Sequence, residues 1–111
     1  MDTVFTMRTD RETGRGLYAL RPIPSGTHLH TAPCLIFSLS SYTSHASKTV
    51  LEHYLFNLPD GRRLLALGYG SIFNHRDTPN VDYRASGEGG GTVTYTTCRD
   101  VEEGEELCIF Y

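Results

Sequence analysis

Two short segments carry side chains that could hold a ligand or take part in a reaction. Asn74 and His75 follow two bulky apolar residues and precede a polar turn with Pro79 and Asn80, so we expect them at the edge of a core. The chain ends on Tyr111, after an acidic turn and an apolar run. An amide, an imidazole and a phenol can each orient a polar ligand by hydrogen bonding. Taken alone, each segment is explained as well by a local cap or a hydrogen bond at the core edge.

Gly14-Arg15-Gly16 is a further candidate, because two glycines around one residue let the backbone approach a ligand closely. A plain tight turn is the simpler interpretation. The segment is not a dinucleotide-binding fingerprint, since the third glycine and the following helix are missing.

The charge of the chain argues against nucleic-acid binding. Its 111 residues allow one modest core, and the net charge is -3. The calculated pI is near 5.9, and apart from Lys48 every basic residue is an arginine. A nucleic-acid-binding domain usually shows a basic stripe. The acidic residues between positions 100 and 106 are most simply a solvated turn, and the alternative is a surface that attracts a basic peptide.

The cysteines favour an intracellular protein without structural zinc. Cys34, Cys98 and Cys108 are widely spaced, and no C-x-x-C pair occurs. Cys34 and Cys108 lie in apolar runs, which predicts buried free thiols and a reducing compartment. No apolar run approaches membrane-spanning length and no leader opens the chain, so we expect a soluble, unsecreted protein.

The remaining pattern is mostly β, with short apolar runs between turns. Strands are predicted over residues 4–8, 17–20, 28–30, 34–37, 50–56, 63–67, 81–84, 92–96 and 107–111, with a break at 13–16. Residues 38–48 are the main helical candidate, with a serine cap. Pro59-Asp60-Gly61 predicts a turn between the strands at 50–56 and 63–67. No large helical layer is expected.

In their order along the chain, these segments resemble the SET-domain protein lysine methyltransferases. The matching segments are GRGLYA at 14–19, IPSG at 23–26, GSIFNH at 70–75 with Pro79-Asn80, and GEELCIFY at 104–111. Residues 51–56 and 66–68 most resemble the small stand-alone SET proteins of fungi and of a large algal virus. The resemblance spans nearly the whole chain and implies a single SET domain over residues 1–111, without pre-SET or zinc-binding post-SET modules.

The resemblance implies the SET-domain fold, also called the β-clip. We therefore expect a mostly β protein with several small twisted sheets and one or two short helices. A pseudoknot-like crossing of the C-terminal strand would bring Asn74 and His75 beside Tyr111. Such threading is rare among proteins, which gives two distant motifs a reason to occur together.

The resemblance also implies a site for S-adenosylmethionine, with S-adenosylhomocysteine as the product. The Asn74 side chain is expected at the methionine end, and His75 is expected to meet the adenine mainly through its backbone. Tyr111 is the expected catalytic residue, near the transferred methyl group. The full set of implied cofactor-binding residues is Arg15, Gly16, Tyr18, Asn74, His75 and Tyr111. Tyr54 and Tyr83 are expected to line the channel for the substrate lysine.

Two features depart from the family pattern. Arg76 and Asp77 stand where the family commonly has serine and then a zinc-binding cysteine, so no metal is expected. The family usually continues beyond the position of Tyr111 with a glycine and a segment that covers the cofactor. That cover is either missing, or supplied by residues outside this sequence, or supplied by a second copy of the chain, and the last alternative motivates a homodimer hypothesis.

The predicted function is transfer of a methyl group from S-adenosylmethionine to a lysine ε-amine, with a histone tail or another basic protein tail as the partner. The nucleus is the expected location because of that substrate, and the cytoplasm is the alternative. We expect no direct contact with nucleic acid or membrane. The alternatives are a catalytically weak SET-like module that binds peptide or cofactor, and a methyltransferase for a non-histone protein.

Overall fold

The computed structural model describes residues 4–12 and 14–111. The described residues form nine strands, which are β1 (Phe5–Asp10), β2 (Gly14–Ala19), β3 (His28–Phe37), β4 (Leu55–Asn57), β5 (Arg63–Ala66), β6 (Asn74–His75), β7 (Val81–Ser86), β8 (Thr92–Thr97) and β9 (Glu106–Ile109). In the same described residues, helical structure is limited to α1 (Leu39–Ser44) and to short 3-10 segments at Ala46–Lys48, Val50–Tyr54, Gly68–Ser71 and Glu88–Gly90. The prediction of a mostly β protein without a large helical layer is confirmed.

The chain divides into two compact units. The first contains the described part of residues 1–30 together with 72–83 and 95–111, and the second contains 31–71 and 84–94. The strands form a four-stranded sheet in the order β1-β2-β9-β6 and a five-stranded sheet in the order β4-β5-β3-β8-β7. The assignment of residues 1–111 to a single domain stays a prediction.

The four-stranded sheet lies wholly in the first unit and joins segments that are far apart in sequence. β1 and β2 are antiparallel, β2 and β9 are antiparallel, and β9 pairs in parallel with β6. The apolar side chains that pack this unit are Leu17, Ile23, Phe73, Val81, Tyr95, Leu107 and Ile109, each with 2% or less of its surface exposed. Burying each such side chain stabilises the fold by roughly 1.5–3 kcal/mol, so β9 is fixed by its own packing.

The break predicted at residues 13–16 is wrong for the part that the structure describes, and residue 13 lies outside the described residues. Gly14–Ala19 is one continuous strand, and the turn precedes it at Arg11 and Glu12. The Asp10 carboxylate accepts a hydrogen bond from the Glu12 backbone N–H at 2.7 Å, which closes that turn locally.

The second unit contains a three-stranded antiparallel part of the other sheet. β5 pairs with β3 from Cys34 opposite Ala66 to Phe37 opposite Arg63, and its other edge pairs with β4. The predicted separation of 28–30 from 34–37 is wrong, because His28–Phe37 is one ten-residue strand. Cys34, predicted to be buried, is only half-buried in it.

A helical segment leads into β4. The helix predicted over 38–48 is present as α1 and the following 3-10 turn, and the Ser38 hydroxyl caps it by accepting from the Ser41 N–H. The strand predicted over 50–56 is wrong for Val50–Tyr54, which is a 3-10 helix. This 3-10 helix forms because Thr49 caps it: the Thr49 hydroxyl accepts a hydrogen bond from the Leu51 N–H at 3.1 Å.

Within the described ranges, no helix is both long and apolar enough to span a bilayer.

Candidate active site

Asn74 and His75 directly follow Phe73, a buried aromatic residue in the core of the first unit. They form β6, where Asn74 lies opposite Cys108 and His75 lies opposite Ile109 of the parallel strand β9. Phe73, the preceding residue, is 1% exposed. The C-terminal strand therefore lies beside the Asn-His pair, as the predicted crossing requires.

The side-chain amide of Asn74 is held on its nitrogen side by two acceptors. Its Nδ2 donates to the backbone carbonyl of Arg15 at 2.9 Å and to Oε2 of Glu106 at 2.7 Å. Among the described residues, none donates a hydrogen bond to its Oδ1. Both N–H groups of the amide are used, so the amide presents its oxygen as an acceptor.

Gly16 makes room for this arrangement. It is buried in β2, and a Cβ atom at this position would collide with the Glu106 carboxylate and lie 3.1 Å from Nδ2 of Asn74. A side chain at residue 16 would therefore displace the carboxylate or the amide. Gly16 thus lets these two side-chain ends lie against β2 without shifting.

Oxygen acceptors converge at this point of the unit. They are the Arg15 carbonyl, the free side of the Asn74 amide and the Glu106 carboxylate. Such a donor-poor, acceptor-rich cluster suits a cationic group such as an ammonium, and it disfavours an anion.

Tyr111 is hydrogen-bonded to the residues that flank Asn74. Its hydroxyl donates to the carbonyl of Phe73 at 2.9 Å, and its backbone N–H donates to Nδ1 of His75 at 3.0 Å. The two partners are the residues immediately before and after Asn74. The Tyr111 ring itself is 43% exposed, so it is reachable from solvent.

The ring of His75 has a defined proton arrangement. Because Nδ1 accepts from the Tyr111 N–H, Nδ1 carries no proton. Nε2 then carries the proton and donates to Oδ1 of Asp77 at 3.0 Å. The imidazole packs on the Phe110 ring, with centroids 4.9 Å apart, and near the Tyr111 ring. The sequence indicated a backbone role for His75, whereas its side chain here holds the end of the chain.

Asn80 and Glu105 brace the start of β9. Asn80 is fully buried, and its side chain accepts from the Cys108 N–H at 2.8 Å and donates to the Glu106 carbonyl at 2.8 Å and to Glu105 Oε2 at 2.9 Å. Burial opposes ionisation of Glu105, but the Glu102 N–H, the Asn80 amide and two arginines together lower its pKa. Asn80 thus pairs with backbone groups of β9 that would otherwise be buried without a hydrogen bond.

The buried thiol near the site is not a nucleophile. Burial, with smaller contributions from nearby Glu106 and Glu105, raises the pKa of Cys108 to about 11. At neutral pH the thiol is protonated, and the thiolate is the reactive form.

Comparisons with known proteins agree with this geometry. Residues 14–111 match the SET domain family. The chain belongs to the SET-domain family. It is 40% identical over 105 residues to a Schizosaccharomyces pombe histone-lysine N-methyltransferase specific for lysine-37 of histone H3, with 95% of this chain and 71% of that protein covered. The crystal structure of a candidate histone methyltransferase of Plasmodium falciparum is similar over 100% of this chain and 95% of its own, with a TM-score of 0.77 at 19% identity. The predicted SET-domain fold is confirmed.

The other predicted site residues of this SET domain lie in different places. Tyr18 is half-buried on β2, opposite Glu106, with the Arg8 guanidinium 5.6 Å from the centre of its ring. Tyr83 lies on β7 in the first unit and is 37% exposed. Tyr54 lies at the end of a 3-10 helix in the second unit and is 40% exposed. Their roles in a lysine channel stay predictions.

Glu106 and Asn80 have contacts that the sequence analysis of this SET domain did not assign. Both stood in quoted motifs, but Glu106 was interpreted as part of a solvated acidic turn and Asn80 as a turn residue. The only available indication was their position, one directly before an apolar strand and one after a proline. Within residues 4–12 and 14–111, no cluster of metal-binding side chains occurs, and the predicted lack of a metal stays a prediction.

Proposed function

We propose that this SET-domain protein transfers a methyl group from S-adenosylmethionine to a lysine ε-amine of histone H3. The observation that carries the proposal is the meeting of Tyr111 with the segment Phe73-Asn74-His75, which joins a phenol to an acceptor-rich site. The similarity to a methyltransferase specific for lysine-37 of histone H3 makes the H3 tail around that lysine the first substrate to test.

The residues present fit the methionine end of the cofactor. S-adenosylmethionine, when bound, would supply an electrophilic methyl group; a neutral amine forms the new N–C bond as the C–S bond breaks, S-adenosylhomocysteine leaves, and the methylated ammonium loses a proton to water. Its α-ammonium needs oxygen acceptors, and the Arg15 carbonyl and Asn74 Oδ1 are such acceptors in one place. We assign the methionine end to these two groups and to the backbone of Gly16. The backbones of Tyr18 and His75 complete the proposed cofactor site, with His75 at the adenine.

Tyr111 is the proposed catalytic residue. Its hydroxyl proton is committed to the Phe73 carbonyl, so toward any other group the phenol oxygen acts as an acceptor. A neutral lysine amine approaching the site has N–H donors that match this oxygen. Tyr111 would therefore orient the amine with its lone pair directed away from the phenol.

The reaction first requires free energy to deprotonate the lysine ammonium, because only the neutral amine is a nucleophile. With a pKa of about 10.4, roughly one lysine in a few thousand is neutral at pH 7, which costs about 4–5 kcal/mol. A channel that desolvates the ammonium lowers its pKa and reduces that cost. We propose Tyr83, which lies in the same unit as Tyr111, as a wall of this channel, and the expected role of Tyr54 stays a prediction. Holding the amine in line can contribute on the order of 7–11 kcal/mol, and water can accept the proton.

The substrate class determines the proposed location and partners. A histone tail is basic, and the chain has a net charge of -3, so the overall charges are complementary. A histone substrate implies a nuclear role. Self-association into a homodimer stays a prediction, and light scattering at micromolar concentration measures it through the molecular mass.

The experiment is transfer of labelled methyl from S-adenosylmethionine to mixed core histones. Label on histone H3 is expected, and it should fall when lysine-37 of H3 is replaced by arginine. Label on another histone, or on H3 irrespective of that replacement, would keep the activity but overturn the substrate assignment. No label on any histone, despite binding of S-adenosylhomocysteine, would favour a cofactor-binding module instead.

A further inference from the structure

We propose that Glu106 is a positioning residue that orients the Asn74 amide for the cationic methionine end of the cofactor. The inference rests on the proposed function and adds to it a residue that acts through another residue. Its basis is the hydrogen bond of 2.7 Å between Oε2 of Glu106 and Nδ2 of Asn74.

The oxygen and nitrogen ends of an asparagine amide have nearly the same shape, but the oxygen accepts hydrogen bonds and the nitrogen donates them. Turned one way, the amide offers an acceptor to a cation, and turned the other way it offers two donors that repel the cation. The Arg15 carbonyl restrains one N–H of Asn74. The Glu106 carboxylate restrains the other, and a hydrogen bond to an ionised acceptor is about twice as strong as a neutral one. Two acceptors on Nδ2 therefore fix Oδ1 toward the site.

The surrounding chain is built to keep the Glu106 carboxylate at this place. Glu106 lies opposite Tyr18 in the sheet, its carbonyl is held by buried Asn80, and Leu107 next to it is fully buried. The Glu106 carboxylate lies where a Cβ atom at residue 16 would collide with it, so Gly16 leaves room for the carboxylate beside β2. The position of the carboxylate is thus set by strand register and not by a flexible surface turn.

The test compares Glu106→Ala with Glu106→Gln by titration calorimetry with S-adenosylhomocysteine. Alanine removes the acceptor, and we expect the affinity to fall about tenfold, which corresponds to the net value of one hydrogen bond. Glutamine keeps an acceptor for Nδ2, and we expect it to restore affinity to within about threefold of the wild type. In steady-state kinetics, Glu106→Ala should raise KM for S-adenosylmethionine while kcat changes less than threefold.

Two controls separate positioning from a general structural effect. Glu103→Gln makes the same charge change as Glu106→Gln at an exposed carboxylate of the turn that precedes β9, and it should bind like the wild type. The desamino analogue of S-adenosylhomocysteine lacks the ammonium, and its affinity should be the same for the wild type and Glu106→Ala. A mere loss of folding would weaken both ligands, and circular dichroism melts of each variant report it independently.

Each remaining outcome overturns the inference in a distinct way. Equal binding by the wild type and Glu106→Ala means that Asn74 needs no second restraint. Equal losses in the alanine and glutamine variants mean that a hydrogen-bond acceptor for Nδ2 is not what residue 106 contributes. Loss of affinity for the desamino analogue as well means that the effect is structural. Absence of binding by the wild type would overturn the proposed function, and this inference with it.

Discussion

The hydroxyl of Tyr111 donates a hydrogen bond of 2.9 Å to the carbonyl of Phe73, although 38 residues separate the two in sequence. Phe73 is buried and stacks on Tyr95 with ring centroids 4.2 Å apart, so the acceptor is held by the core. The phenol is thereby attached to a rigid point while its ring stays 43% exposed. A catalytic group needs this combination of a fixed position and access to the substrate.

The first prediction concerns Gly16→Ala. The added methyl group would collide with the Glu106 carboxylate, so we expect the affinity for S-adenosylhomocysteine to fall about tenfold or more and unfolding to become easier by about 1–3 kcal/mol. Calorimetry and thermal melts measure the two effects.

Gly14→Ala is the matched control for that substitution. Gly14 has a φ of +75° and open space around its Cβ position, so alanine there strains the backbone but displaces nothing. It should lower stability by roughly 1 kcal/mol and leave cofactor affinity unchanged. Equal affinity losses at both positions would show that close approach at Gly16 is irrelevant.

The second prediction concerns the tautomer of His75. The neutral ring should carry its proton on Nε2, since Nδ1 accepts from the Tyr111 N–H. The ¹⁵N chemical shifts of the ring measure this directly. Asp77→Ala removes the acceptor of Nε2–H but leaves the Tyr111 N–H that donates to Nδ1, so the Nε2–H tautomer should still predominate in that variant. A ring protonated on Nδ1 in the wild type would contradict the described hydrogen bond.

The third prediction concerns how the free energy of unfolding depends on pH. Because the folded-state pKa of Glu105 lies below the ordinary pKa of a glutamate, its stabilising contribution is complete above that ordinary pKa and is lost as the pH falls through the folded-state pKa. Glu105→Gln should therefore cost about 1–2 kcal/mol at pH 7. The difference from the wild type should shrink in urea titrations below pH 4. A difference that is independent of pH would show that ionisation of Glu105 contributes nothing.

Much of the site could be predicted from residue order. Asn74-His75 and Tyr111 were expected to meet, and β6 and β9 pair so that Tyr111 bonds to the residues on either side of Asn74. This prediction was within reach because the apolar runs around each segment define a strand, and the family resemblance relates the strands.

The contacts of Glu106 and of the His75 ring could not be predicted in the same way. An acidic residue in a turn is usually solvated, and only the register of β9 against β2 directs Glu106 to Gly16. The position of Glu106 depends on strand pairing that no local pattern contains. The strand predicted over 50–56 was wrong for Val50–Tyr54 for a different reason, since the Thr49 cap is a local signal that outweighs their β-leaning side chains.

Single-turnover methyl transfer to a histone H3 peptide by the wild type and by Tyr111→Phe tests the central claim most directly. The phenylalanine variant should bind S-adenosylhomocysteine within about threefold of the wild type and transfer methyl about 100-fold more slowly, a barrier increase of about 2.7 kcal/mol. Tyr42→Phe, which removes a phenol that donates to Glu52, should react like the wild type. If Tyr111→Phe transferred methyl as fast as the wild type, the site described here would not be where the reaction occurs.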